Sequence, residues 1–332
     1  MDTSLKKCIR LAGMAPSSHN TQPWIFTVLD RQRGIELHMD RTRALPVNDP
    51  DNRELVISCG CALLNLRVAL AAAGFPSRPD LLPGDDDPDL LARIDLSVNI
   101  SADSQSLASL ADSIGNRRTF RKKFSNEKVS AEVFEMLKEA ALLEGASLKQ
   151  INDASQVESV AGLVEEGDRR LWADPAWRKE LSSWMKPSES GDGIAVPALL
   201  APIIRTVMRR FNMGKRTGVS DRRLVETAPL LVILETSDDG VHDWLCAGQA
   251  LQRVLLAGCR CGVQFSYLNQ PCQVPNLRPR LQSVSGKGVP QLLLRGGVPC
   301  KAPVKSASTN RRQLSEILRY AEKRDGSDST KV

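Results

Sequence analysis

Ala15-Pro16-Ser17-Ser18-His19-Asn20-Thr21-Gln22-Pro23-Trp24 is the stretch on which the reading of this chain turns. It follows a short amphipathic pattern, Leu5 to Met14, which Pro16 closes because proline disfavours a helical residue before it. It precedes Trp24 to Leu29, apolar and β-branched residues with the character of a strand. Between its prolines, Ser17, Ser18, Asn20 and Gln22 offer hydrogen-bond donors and acceptors without charge. That chemistry suits a planar heterocycle with alternating donors and acceptors, such as the pyrimidine end of a flavin. It suits equally an ordinary helix-to-strand turn in which Ser17 or Asn20 bonds nearby backbone.

Outward from the loop, Gly34 makes a turn, and Ile35 to Met39 alternates like the second strand of a hairpin. A polar loop, Asp40 to Asn52, leads into a long helix from about Arg53 to Ala73, with Gly74 where a C-cap belongs. Phe75 to Pro88 is rich in proline and aspartate and is expected to be an exposed connection. Within it, Gly84-Asp85-Asp86-Asp87 is a turn that lacks the spaced ligands and closing glutamate of a calcium loop. Ile94 to Ile100 reads as a strand. A second block begins near Leu107. It holds a helix from Ser130, its N-cap, to Leu143, and a mostly helical stretch from Glu158 to Trp184. Lys186 to Gly193 is a flexible break, and Ala195 to Arg223 is mixed, first apolar and then basic. Leu230 to Thr236 is a buried strand, Asp243 to Cys261 a second long helix, and Pro290 to Arg295 another strand. The tail from Asp325 has the composition of a disordered end.

The two long helices echo each other. Gly60-Cys61-Ala62-Leu63, Ala69 and Gly74 align without gaps with Gly248-Gln249-Ala250-Leu251, Ala257 and Gly262. Helices so rich in small residues pack closely, which suits a central pair at an interface. Duplication explains the echo; so does a chance match between two Ala/Leu-rich helices.

A chain of 332 residues accommodates one large domain or two ordinary ones, and 42% hydrophobic residues supply a core. The net charge of +6 suits an anionic ligand such as a phosphate but falls short of a nucleic-acid binder. Aromatics, at 4%, are too sparse for rows of base-stacking platforms. No secretory signal is visible, and no stretch approaches the ~18 apolar residues of a membrane span. The best candidate, Ala62 to Phe75, is interrupted by Asn65 and Arg67. A cytoplasmic chain with its eight cysteines reduced is therefore expected, with no nucleic-acid and no membrane partner. Cys59-Gly60-Cys61 and Cys259-Arg260-Cys261 have the wrong spacing for zinc and are expected to be buried thiols, with no metal site. His19, His38 and His242 are scattered; His19, inside the loop, could touch a substrate or simply be solvated. There is no Walker or Rossmann fingerprint.

Ala-Pro-Ser-x-x-Asn-x-Gln-Pro-Trp before a strand closely resembles the signature of the nitroreductase-like flavoproteins. Asp40-Arg41-Thr42-Arg43-Ala44-Leu45-Pro46, Asp49-Pro50 and Ser58-Cys59-Gly60 resemble the Acg-type branch, whose long single chains resemble a fused nitroreductase dimer. The resemblance covers about residues 5 to 320 and is densest at 15–24, 40–75, 114–124 and 244–273.

The resemblance implies FMN, with Pro16, Ser17, Ser18, Asn20 and Gln22 as cofactor-binding residues. Arg117-Arg118-Thr119-Phe120-Arg121 resembles the Arg-Arg-Ser-x-Arg run whose arginines hold the FMN phosphate. By that match Arg117, Arg118 and Arg121 are phosphate ligands, with Thr119 in the serine's place. Guanidinium forks suit this task because they donate paired, charge-assisted hydrogen bonds. A solvated basic face is the alternative, and Lys122 and Lys123 are left to it. Pro303 to Leu314 contains Arg311-Arg312, either of which could close the phosphate site, or both could be surface arginines at a helix start. In the family, the position of Phe265 to Pro271 forms a loop whose backbone approaches the ring, where an N–H supports N5. Tyr267, Leu268 and Asn269 are the candidates. The chain has Leu268-Asn269-Gln270-Pro271 instead of the common Pro-x-Glu-Gly form, and a plain helix-to-strand connection is the alternative.

The fold implied is α+β and nitroreductase-like: an internally duplicated pseudo-dimer with central antiparallel sheets flanked by helices. Residues 1–106 form the first half and 107–332 the second, with a lid insertion at about 167–227. That insertion carries Trp172, Trp177 and Trp184, then Arg205, Arg209, Arg210, Lys215 and Arg216; a peripheral helical insertion is the other reading of it. The polar loop occurs once, in the first half, and the basic run, ring loop and terminal arginines once each, in the second. One FMN per chain, at the junction of the halves, is the arithmetic result. The function implied is an FMN-dependent oxidoreductase that passes a hydride from NAD(P)H, a transient co-substrate, to a small electron-poor acceptor such as a nitroaromatic or quinone. No side chain is needed as nucleophile, because the flavin carries the chemistry. Alternatives are a dehydrogenase or oxidase for a dedicated biosynthetic substrate, a flavin-storing protein with a closed lid, and, remotest, an RNA-binding module. The expected partner is a small-molecule substrate, and the chain acts as a monomer (a pseudo-dimer) or a homodimer.

Overall fold

Trp24–Val28 (β1) and Gly34–Met39 (β2) pair as the hairpin that their apolar alternation predicts, with Phe26 opposite Leu37. The computed structural model describes residues 3–29, 32–84, 87–97, 103–301 and 310–321. The remaining strands are Arg78–Leu81 (β3), Leu90–Asp95 (β4), Ser147–Gln150 (β5), Met185–Pro187 (β6), Ile194–Val196 (β7) and Leu230–Thr236 (β8). They are followed by Gln264–Tyr267 (β9), Val289–Gly297 (β10) and Leu318–Tyr320 (β11). Two larger sheets result. The first has the order β11-β1-β2-β4-β3 and the second β5-β8-β10-β9. Every pairing in them is antiparallel except β11, which lies parallel to β1 with Leu318 opposite Phe26.

Between the sheets run the two long helices, Arg53–Ala72 and Val241–Arg260. Arg53–Ala72 buries residues around its whole circumference, as a central helix must. It is the one helix among the described residues long and apolar enough to cross a membrane, and 83% of its apolar window is buried inside the protein. The two helices meet at the aligned glycines. A Cβ on Gly60 would lie 2.4 Å from the Leu245 carbonyl oxygen, and one on Gly248 only 2.1 Å from that of Ile57. Only glycine lets the backbones come this close. Polar side chains tie the pair beside the crossing: Gln252 Nε2 donates to Asn65 Oδ1 (2.6 Å), and Arg67 donates to Gln249 Oε1 (2.8 Å). Glu144, buried, accepts from both Arg67 and Arg253. One apolar core runs from Leu5 through both helices to Leu294 and Ile317.

Several local expectations differ in the structure. Phe75–Pro88 contains strand β3, paired with β4, and the strand expected at 94–100 lies at Leu90–Asp95. The first difference stems from an edge strand of mixed polarity, which exposes the residues that would mark it. β5 was absent from the sequence reading for the same reason, as it is short and half exposed. The break expected at 186–193 is the connection between β6 and β7, and the mixed segment after it forms two helices, Ala201–Arg210 and Gly214–Glu226. Asp85, Asp86, residues 98–100, 302–309 and the tail from Asp325 lie outside the described residues.

The segment expected as an insertion, 167–227, contains a small core of its own, built on Trp172, Trp177, Leu181, Met185, Val196 and Ala201. It is fastened to the first sheet's loops. Glu180 accepts from the backbone N–H groups of Val47 and Asn48, and Trp177 Nε1 donates to Asn48 Oδ1 (2.8 Å). Arg43 pairs with Asp192, which also accepts from Lys186.

Candidate functional site

The helix Thr3–Ala12 ends before the polar loop, whose backbone is held in an uncommon shape. His19, Asn20 and Gln22 have φ of 47°, 54° and 53°, a left-handed conformation that costs residues with a Cβ on the order of 1–3 kcal/mol each. Side chains fix it. Ser17 Oγ accepts from the Gln22 N–H (2.9 Å), and Ser18 Oγ donates to Glu54 Oε2 (2.7 Å). Asn20 Nδ2 donates to the Gly193 carbonyl (3.1 Å), and its Oδ1 accepts from Arg311 (3.1 Å). The loop thereby joins the central helix, the connection between β6 and β7, and the C-terminal segment.

The basic run lies along the open edge of the second sheet. Thr119 bridges Phe265 in β9, the Phe120 N–H donates to the Phe265 carbonyl (2.8 Å), and the Arg118 N–H to Gln264 Oε1 (3.0 Å). This edge pairing sets Arg117 to Lys123 along a cavity of about 1180 Å³ that is also lined by Pro16, Ser17, Ser18, His19, Asn20, Tyr267, Asn269 and Arg311.

The cavity is cationic at one end. Arg117 is buried, its Nε has no hydrogen-bond partner among the described residues, and burial pushes its pKa down. Burial likewise lowers Arg311, to about 9, with Arg117 and Arg118 adding like-charge repulsion. Guanidinium groups stay charged in proteins, so burial and like-charge repulsion both act against Arg117 and Arg311 here. Neither Arg117 nor Arg118 pairs with a carboxylate among the described residues. Elsewhere on the wall, burial keeps His19 below its ordinary pKa despite the opposing charge of Glu54, and its Nδ1 is buried without a partner. The Tyr267 hydroxyl is also buried and unpartnered, and burial raises its pKa, so it is a neutral donor.

Three of the residues expected at the site point elsewhere. Gln22 is buried beside it, where Nε2 donates to the Gly191 carbonyl and Oε1 accepts from the Arg312 N–H. Leu268 packs into the second sheet's core, and its N–H is taken by the Leu293 carbonyl (2.9 Å), so it is not a ring donor. Arg312 donates to the Gln22 and Glu316 carbonyls, which leaves Arg311 as the arginine on the cavity. Of the tryptophans in 167–227, Trp172 and Trp177 line the cavity, whereas the Trp184 ring sits against Arg43 and Lys186. Cys59 and Cys61 are buried thiols whose pKa values burial raises, Cys61 to about 12, but Cys261 is exposed and Cys259 only half-buried. That pair closes a helix at the surface and does not share the first pair's place in the core.

Comparisons with known proteins find relatives along nearly the whole chain. No protein-family model matches the chain. The Mycobacterium tuberculosis protein named "Putative NAD(P)H nitroreductase acg" is 28% identical over 329 residues, covering 95% of both chains. A second from that organism, "Putative NAD(P)H nitroreductase Rv3131", is 29% identical over 328 residues, 96% of this chain and 92% of its own. The chain is thus similar, over nearly its full length, to proteins named as nitroreductases. Among solved structures, the nitroreductase-like family protein from Bacillus cereus is similar at a TM-score of 0.40 and 16% identity, covering 65% of this chain and 97% of its own.

Further residues, not expected from the sequence, complete the wall of the cavity. Glu54, Ser58 and Cys61 stand at helical spacing on one face of Arg53–Ala72 and line the cavity beneath the loop. Their signal was that i, i+4, i+7 spacing, which a uniformly apolar helix obscures. Asp168 lines the opposite wall, bonded to Gln270 Nε2, which also donates to Asp221.

Proposed function

We propose that this chain binds FMN where the polar loop meets the basic edge of the second sheet, and acts as an FMN-dependent oxidoreductase on small electron-poor acceptors, with NAD(P)H as donor. The observation that carries the reading is the convergence of Arg117, Arg118 and Arg311 at one end of the cavity. Three clustered guanidinium groups, one of them with an unpartnered buried nitrogen, call for a dianion, and a phosphate accepts from such forks. The loop residues Ser17 and Ser18 and the unpartnered Tyr267 hydroxyl offer the uncharged partners that a flavin ring needs. Arg121 and Thr119 stand on the same wall, and Pro16, Asn20 and Asn269 shape it. Bound there, FMN supplies two-electron chemistry.

The protein's own residues anchor, orient and shield. At about 1180 Å³ the cavity exceeds the usual ~300–1,000 Å³ of a single-ligand pocket, which favours a cofactor together with a second planar molecule. Trp172, Trp177, Leu171 and Leu181 from the lid supply apolar surface for that molecule and keep water out. The names of the full-length relatives support the nicotinamide donor.

The decisive measurement is the visible spectrum of the purified protein, followed by anaerobic mixing with NADPH or NADH. A yellow protein that one nucleotide bleaches is expected. A colourless protein that FMN fails to reconstitute would overturn the reading, and a yellow one that neither nucleotide bleaches would remove the reductase half. The fastened lid favours a second reading for that last outcome: a protein that retains flavin behind Glu180, Asp192 and Asn20.

A further inference from the structure

The helix Ala201–Arg210 has apolar residues on two of its flanks. Inward, Ala201, Ile204 and Met208 join the lid's core. Outward stand Leu199, Ile203, Val207 and Phe211, each four residues after the last and 94%, 61%, 39% and 60% exposed. The four-residue step keeps Ile203 and Val207 on one flank of the helix, with Leu199 and Phe211 just beyond its two ends. An apolar flank this exposed marks a surface that meets something other than water.

The charge around it says what. Residues 197–216 contain five cations and no aspartate or glutamate. One of them, Arg205, turns inward to the Met185 carbonyl (2.6 Å). Arg209, Arg210, Lys215 and Arg216 are exposed, and none forms an ion pair with a carboxylate among the described residues. The neighbouring helix behaves otherwise: Arg222 pairs with Glu158, Glu165 and Glu226. Apolar side chains edged by unpaired cations suit the boundary between the headgroups and acyl chains of an anionic bilayer. A symmetric contact between two copies of the chain would instead set Arg209 and Arg210 against their own counterparts.

We propose that the lid helix docks this protein on an anionic lipid surface, with Leu199, Ile203, Val207 and Phe211 entering the acyl boundary and Arg209, Arg210, Lys215 and Arg216 meeting lipid phosphates. The inference is independent of the flavin reading, and its test needs no cofactor. The full chain is sedimented with vesicles of phosphatidylcholine, with and without phosphatidylglycerol. Binding only to the anionic vesicles, and its loss at about 0.5 M salt where screening is short-ranged, is the expected result. Replacing Arg209 and Arg210 together by alanine should lower partitioning roughly tenfold or more, at about fivefold per cation near the surface. Ile203→Glu should abolish binding, with a melting temperature equal to wild type because the side chain is exposed. No sedimentation, equal sedimentation with neutral vesicles, or binding that Ile203→Glu leaves intact would each overturn the proposal. So would a vesicle-indifferent dimer that Ile203→Glu dissociates, which would assign the stripe to a second copy.

Discussion

Arg311 and Arg312 are neighbours in the chain that face different ways. Arg311 lines the cavity beside Arg117 and Arg118 while donating to Asn20 and to the Met14 and Ala15 carbonyls, whereas Arg312 lies off the cavity, engaged by Gln22, Glu316 and Asp40. Arg311→Ala should therefore weaken FMN affinity about 10- to 100-fold, the worth of one hydrogen bond to a charged group at ~1.5–3 kcal/mol. Arg312→Ala should leave affinity near wild type and lower the melting temperature instead. Flavin-fluorescence titration of the two variants separates them, and equal losses would contradict the assignment. Asp168 offers a second residue-scale prediction. Burial, reinforced by Asp221, raises its carboxyl from 3.8 to about 7. Between those values the folded chain holds a proton that the unfolded chain releases, so the stabilisation is complete below the lower value and is lost as pH rises through the upper. Asp168→Asn should flatten the dependence of melting temperature on pH across that window. An unchanged slope would mean that Asp168 titrates normally.

At the scale of elements, the crossing of Arg53–Ala72 with Val241–Arg260 depends on the absence of two side chains. Gly248→Leu has no space to relax into, because the Ile57 carbonyl and the Gly60 backbone already touch the position. It should destabilise by at least the ~1–3 kcal/mol typical of overpacking, read from denaturant unfolding. A neutral effect would mean that the helices can separate without loss. Elements whose own residues carry their signal were legible in the sequence. Ser130 caps its helix by accepting from the Val133 N–H, Gly74 and Gly262 follow their helices at φ of 75° and 74°, and β8 spans the residues expected. Elements stabilised mainly from outside were not. Arg78-Pro79-Asp80-Leu81 becomes a strand because β4 pairs with it, and its composition alone argues against one. The site divides in the same way. The loop 15–24 and the run 117–121 concentrate their chemistry in consecutive residues, but Glu54, Ser58 and Asp168 join the wall only through packing.

For the whole molecule, the cavity draws its polar loop from residues near the start of the chain and its cations from the basic run and the C-terminal segment. With each part present once, the reconstituted protein should hold one FMN per chain, measured as the ratio of flavin to protein absorbance. A ratio of two would place a second flavin that this arrangement does not provide. The parallel pairing of β1 with β11 has a consequence during synthesis. Phe26 leaves the ribosome roughly 290 residues before its neighbour Leu318, a wait of about 15–60 s at ~5–20 residues per second. Through that interval the hairpin carries an open, apolar flank that can capture another nascent chain. Slow translation, or premature release short of Leu318, should therefore yield aggregates, and the last strand acts as the latch that ends the exposure.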